Sequence, residues 1–130
     1  MRTFEYSHVH MSGALALDVR PISRLFRALG DETRLRVVAL LTHGELCVCH
    51  LEAALELSQP NASRHLAVLK AAGVVESRRA GTWVHYRLAK QADPAARRQL
   101  AALLGTFAAR SELERDLARL RKAKGPGACR

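Results

Sequence analysis

Ser58-Gln59-Pro60-Asn61-Ala62-Ser63-Arg64-His65-Leu66-Ala67-Val68-Leu69-Lys70-Ala71-Ala72-Gly73 is the stretch whose reading decides the fold. Ser58 is a good N-cap, Pro60 suits a first turn that needs no amide donor there, and Gly73 is a natural stop. Between them Ala62, Leu66 and Leu69 fall on one face of a helix. Just upstream, Val48, Leu51 and Leu55 recur at helical spacing, which predicts a partner helix from the Cys47/Cys49 pair to about Leu57. Downstream, Val74 to Arg79 and Trp83 to Leu88 alternate apolar and polar residues around Ala80-Gly81-Thr82, the pattern of a hairpin with a short glycine turn. Two helices joined by a tight turn and followed by a hairpin predict a winged helix-turn-helix, mainly α with a small β-hairpin wing.

The flanking sequence completes one domain. Residues 1–17 have no clear period and read as an N-terminal arm. From Asp18, Ile22, Leu25, Phe26 and Leu29 form a helical stripe that Gly30 ends, and Asp31 caps a second helix with Leu35, Val38 and Leu41 facing inward. Asp93-Pro94 opens a last helix carrying Leu100, Leu103, Leu104 and Phe107, with Leu113, Leu117 and Leu120 further along. A small domain has too little interior to bury that helix all round, so a homodimer through the first and last helices is expected. The expected organisation is an arm over 1–17, a DNA-binding and dimerisation domain over 18–120, and a basic flexible tail over 121–130, broken by Gly-Pro-Gly.

Composition narrows the class of partner. Over 130 residues, 21 Lys plus Arg against 12 Asp plus Glu give a formal charge of +9, which points to a polyanion, nucleic acid first. No apolar run approaches a membrane span, and Glu5, His8 and His10 stand where a signal peptide would be apolar, so a cytoplasmic protein with no membrane partner is expected. Three cysteines, an odd number, do not make a disulfide framework. No Ser/His/Asp ordering, phosphate-cradling glycine loop or recognisable carboxylate pair suggests catalysis, and no organic cofactor is expected.

Cys47 and Cys49 sit at the predicted front of a helix, where the dipole favours negative charge. Residues i and i+2 of a regular helix point about 200° apart. Two thiolates there grip one ion only if the first turn is open or is reshaped by the ion. Soft thiolates select soft ions over magnesium or calcium. The alternation around Val48 places the thiols off the apolar stripe, and His50 and Glu52 read as a solvated helix face.

Four blocks in order, Phe26-Arg-Ala-Leu-Gly-Asp-Glu-Thr-Arg-Leu-Arg36, Glu45-Leu-Cys-Val-Cys49, Ser58 to Leu69 and Gly81-Thr-Trp-Val-His-Tyr-Arg-Leu88, resemble the ArsR/SmtB family of bacterial winged-helix metalloregulatory repressors. The resemblance covers about Leu25 to Leu88 and is greatest to arsenic-responsive members. It implies a homodimer on double-stranded operator DNA that dissociates when arsenite or antimonite binds cysteine thiolates, with cadmium, lead or zinc, or thiol oxidation, as the alternative signal. The arsenic-responsive members closest in this stretch carry a third cysteine where this chain has Glu52, so Cys129 joins Cys47 and Cys49 as the candidate third ligand. Cadmium/lead members add cysteines from an N-terminal arm, and this arm offers only His8 and His10. The zinc site that other members build on the last helix needs histidines, and residues 94–120 contain none.

For DNA, Gln59, Asn61, Ser63, Arg64 and His65 lie off the buried stripe, mostly in the first two turns of the reading helix, the end that enters a major groove. Arg64 suits guanine or a phosphate, Gln59 or Asn61 suits adenine, and Ser63 and His65 suit phosphate or local packing. Lys70 adds general electrostatic attraction, and Arg78, Arg79 and Arg87 flank the wing turn. Trp83 and Tyr86 read as hairpin core.

Overall fold

The structure, a computed structural model, describes residues 18–107 and 111–124. The expected arm over 1–17, with His8 and His10, and the candidate ligand Cys129 lie outside the described residues.

Two short helices open the fold. Helix α1 (Arg20–Leu29) carries Pro21 in its first turn and buries Leu25, Ala28 and Leu29, while Phe26 on its other side remains 53% exposed. Gly30 ends it with its amide on the Arg27 carbonyl. Helix α2 (Glu32–Leu41) starts where the Asp31 carboxylate accepts from the Arg34 amide, a cap worth about 1 kcal/mol. Its second half, Val37 to Leu41, is buried all round because α1, α3, α4 and α6 pack around it.

A two-residue strand β1 (Leu46–Cys47) then leads directly into α3 (Val48–Leu55). Glu56 closes α3 in the left-handed region at φ 55°, so the helix ends slightly before the expected Leu57. Helix α4 (Gln59–Ala71) begins as read from the sequence, with the Ser58 hydroxyl accepting from the Asn61 amide and Ala62, Leu66 and Leu69 buried. Gly73, at φ 75°, turns the chain into the wing. Strands β2 (Val75–Ala80) and β3 (Trp83–Leu88) pair antiparallel around Gly81, whose φ of 64° suits a residue without a side chain. The sheet has three strands in the order β1-β3-β2, with Leu46 opposite Tyr86 and Cys47 opposite His85. The alternating pattern announces only the hairpin, since two residues are too few to show a period of two.

The carboxy-terminal part corrects the expectation of one long last helix. Helix α5 (Pro94–Thr106), capped by Asp93, packs on α1, and a separate helix α6 (Ser111–Ala123) packs on α3 and α2. Leu120 is buried and Leu117 partly buried against the chain's own core, not against a second copy. Helix α6 also continues to Ala123, inside the stretch expected to be a tail. A hydrophobic stripe shows that a face is covered but not by which element, and α6 finds its cover at home. Among the described residues no helix is long and apolar enough to cross a membrane.

Candidate metal and nucleic-acid sites

The junction of β1 and α3 resolves the geometry of the cysteine pair. Cys47 is the N-cap of α3 in extended conformation (φ −68°, ψ 146°), so it lies outside the helical turn that would have pointed the two thiols apart. The Cys47 and Cys49 sulfurs stand 3.2 Å apart. The first turn therefore brings both sulfurs to one side, one of the two arrangements that allow chelation once Cys49 is reduced. Cys47 is 2% exposed and Cys49 partly buried, which corrects the expectation that both thiols stand off the apolar side. Pairing with β3 draws Cys47 inward, an effect that helical periodicity does not contain. Cys47 carries a free thiol, whereas Cys49 is disulfide-bonded, though not to Cys47, and needs reduction before it can ligate as a thiolate.

His50 is also corrected. It is partly buried rather than solvated, and its Nδ1 is fully buried without a hydrogen-bond partner among the described residues. The ligand atoms of Cys47, Cys49 and His50 all lie within 4.8 Å of one another. Burial holds the imidazole below its ordinary value, reinforced by the positive charges of Lys124 and His85, and so favours the neutral ring that a metal requires.

Helix α3 is held at its other end by groups the sequence reading missed. Asp116, fully buried on α6, accepts from Arg36 on α2 at 2.8 and 2.6 Å and from Arg119 at 2.7 Å. Arg119 Nε also donates to the Ala54 carbonyl at the end of α3, at 2.7 Å. In sequence, Arg36 and Asp116 look like two of many surface charges.

The predicted nucleic-acid residues fall into two sets. On α4, Gln59, Asn61, Ser63, Arg64 and Lys70 are exposed, and Arg64 donates to the Asn61 side chain. His65 turns instead toward the start of α2, where its Nδ1 lies 3.3 Å from Arg34 Nη1 and 3.7 Å from the Asp31 carboxylate. The Arg34 amide, and to a smaller degree His65, holds the Asp31 carboxyl below its usual range. On the wing, Arg78 makes a two-pronged ion pair with Glu45 at 2.8 and 2.7 Å, and Arg87 pairs with Glu76 across the hairpin. Arg79 is exposed and makes no ion pair among the described residues. Glu45 directly precedes β1, so the Arg78 pair ties the approach to the cysteines to the wing. Tyr86 packs against the core as expected, and burial raises its hydroxyl above the ordinary value.

A helix-turn-helix with exposed polar groups on its second helix, a cationic wing beside it and a thiol cluster at the head of its first helix defines a winged helix-turn-helix regulator. The comparisons agree. The family of bacterial regulatory proteins described as arsR matches residues 31–77. The chain is 58% identical over 66 residues to the arsenical resistance operon repressor of Escherichia coli (strain K12), covering 50% of this chain and 56% of that relative. It thus spans about half the length of that curated relative. Among solved structures, reduced HlyU from Vibrio cholerae N16961 superposes with a TM-score of 0.59 at 31% identity, covering 68% of this chain and 90% of that one. The homodimeric winged helix-turn-helix DNA-binding domain Mb0332 from Mycobacterium bovis superposes with a TM-score of 0.58 at 30% identity, covering 75% and 90%. The chain belongs to the arsR family of bacterial regulatory proteins. Its relatives are regulators of transcription, not enzymes.

Proposed function

We propose that this protein is a metalloid-responsive transcriptional repressor that binds operator DNA as a homodimer and dissociates when arsenite or antimonite binds cysteine thiolates. The observation that carries the reading is the pair of sulfurs 3.2 Å apart at the hinge between β1 and α3. One side of that hinge is a strand bonded to the wing, and the other is the first helix of the DNA-reading unit. Each As–S bond would replace an As–OH bond, the thiol proton leaving with the hydroxide as water. Cys47 and Cys49 supply two sulfurs in the reduced protein, and Cys129 is the proposed third. In this reading Gln59, Asn61, Ser63, Arg64, Lys70 and Arg79 meet DNA directly, Arg78 and Arg87 do so by exchanging a carboxylate for a phosphate, and His65 braces the helix from behind.

For the dimer, the support is an apolar groove between α1, α2 and α5, lined by Phe26, Leu29, Leu35, Ala102 and Leu103. It narrows the proposed interface to α1 and α5, since α6 is occupied at home. We place the protein in the cytoplasm, with an arm over 1–17 and a domain whose last helix runs to Ala123 before the basic tail. A thiol-redox signal on the same scaffold is the second reading, favoured by the disulfide at Cys49. The deciding experiment follows operator-bound, reduced protein by fluorescence anisotropy while arsenite, antimonite, cadmium, lead and zinc are added in turn. Release by arsenite and antimonite at the lowest concentrations is expected; release by none of the five ions would refute the reading.

A further inference from the structure

We infer that Arg34 is a positioning residue for DNA recognition: through His65 it locks the reading helix α4 to the end of α1, a helix that lines the proposed dimer groove. The inference rests on operator binding by a homodimer, as proposed above, and adds what sets the spacing between the two reading helices.

All three nitrogens of the Arg34 guanidinium face partners within the protein. Nε donates to the Ala28 carbonyl at 2.6 Å and Nη2 to the Arg27 carbonyl at 3.4 Å, both in the last turn of α1, where the helix dipole favours a cation. Nη1 stands 3.3 Å from His65 Nδ1 on α4, and the Arg34 amide donates to the Asp31 carboxylate that caps α2. One residue thus joins three helices. An arginine only donates, so the nitrogen it faces must accept, and the His65 ring carries its proton on Nε2. The Asp31 carboxylate, 3.7 Å from the same nitrogen, is too far for a hydrogen bond and leaves Arg34 as the partner of the ring. Among the described residues, this is the hydrogen bond that joins α4 to α1 and α2.

The joined ends carry the two functional surfaces. Phe26 and Leu29 flank the two α1 carbonyls in sequence and line the proposed dimer groove, while Arg64, next to His65, is exposed on α4. A dimer of this class places its two reading helices in major grooves about 34–36 Å apart. Apolar packing alone lets a helix roll, whereas a planar fork with three directed contacts fixes rotation as well as distance. The orientation of α4 therefore follows that of α1.

The test uses the full-length reduced protein and a duplex that the wild type selects from a random pool, together with two copies whose half-sites are moved closer or farther by one base pair, about 3.4 Å. Wild type should prefer the selected duplex to the shifted ones by about tenfold or more. Arg34→Gln, Arg34→Lys and His65→Ala should lose about tenfold on the selected duplex and little on the shifted ones, so that the preference nearly vanishes. His65→Asn should keep it, since its amide oxygen can accept from Arg34 in place of Nδ1. The log–log salt slope should be unchanged throughout, because no phosphate contact is lost. Nitrogen-15 NMR of wild type should place the His65 ring proton on Nε2, a measurement that stands even if the Arg34 variants fold poorly. A ring proton on Nδ1 overturns the inference and leaves the proposed function intact. So does a wild type indifferent to spacing, or a general weakening of the variants with the preference preserved, which would make Arg34 structural only. A slope shallower by about 0.9 in Arg34→Gln overturns it too, as the mark of a phosphate contact. If wild type selects no duplex, the inference and the proposed function fail together.

Discussion

The two ends of α3 are held in opposite ways. At the carboxyl end a polar network closes the helix: Arg119 takes the Ala54 carbonyl, Asp116 takes Arg119 and Arg36, and Glu56 closes the turn. At the amino end the cap residue, Cys47, makes no side-chain cap bond, and an imidazole nitrogen is buried without a partner among the described residues. A satisfied polar network is rigid, while an incomplete one changes when a ligand completes it. The contrast assigns α3 a fixed end on α6 and an adjustable end on β1, with the reading helix α4 and strand β3 packed between.

The largest effect should come from breaking the fixed end. Asp116→Ala removes a fully buried carboxylate and leaves two arginines without their partner, which should cost about 3–5 kcal/mol in urea denaturation. A loss below about 1 kcal/mol would mean that α6 is merely draped on the domain. In the reduced protein, breaking the adjustable end should cost less stability than this and remove the response. Cys47→Ser or Cys49→Ser should bind operator like wild type yet lose a release corresponding to about 3 kcal/mol, or roughly 150-fold in affinity, in anisotropy titrations with arsenite. Loss of DNA binding in both variants would show the cysteines to be structural.

The contrast also explains what could be read in advance. Helices α1 to α4 and the wing were legible because each carries its own local signal: Asp31 and Ser58 as caps, the Ala62/Leu66/Leu69 stripe, and Gly81 in a turn that needs positive φ. The cysteine pair was legible as chemistry. Its geometry was not, because Cys47 owes its extended conformation to pairing with His85, a residue distant in sequence. The same reason hid the Asp116 network, which joins residues 80 positions apart. His50 reads as solvated because α6 and β3, which pack on its helix, are distant in sequence.

Weaker perturbations sharpen the boundary between sensing and reading. Arg64→Ala should reduce operator affinity by about 1–3 kcal/mol with arsenite affinity unchanged, since Arg64 is exposed on α4 and remote in role from the thiols. An equal loss on all sequences would assign it to phosphate. Asp31→Ala should cost about 1 kcal/mol as a lost helix cap. Because the folded-state pKa of Asp31 is lowered from 3.8, its contribution is complete at neutral pH and is lost as pH falls through that lowered value. Acid titration of wild type against Asp31→Ala should therefore converge at low pH; divergence would contradict the capping role.

The smallest effect concerns the link between the two ends and the wing. The Glu45–Arg78 pair is partly solvent-exposed, so Glu45→Gln should change stability by less than about 1 kcal/mol. Its consequence for DNA is more informative. With Glu45 in place, Arg78 must leave a carboxylate to reach a phosphate; without it, the guanidinium is released. Glu45→Gln should then tighten operator binding slightly and steepen the log–log salt dependence by about 0.9, the value for one added phosphate contact. Weaker binding with an unchanged slope would mean the opposite, that Glu45 orients Arg78 for the groove. In that case the cysteine-bearing strand would direct the wing through a side chain as well as through its backbone.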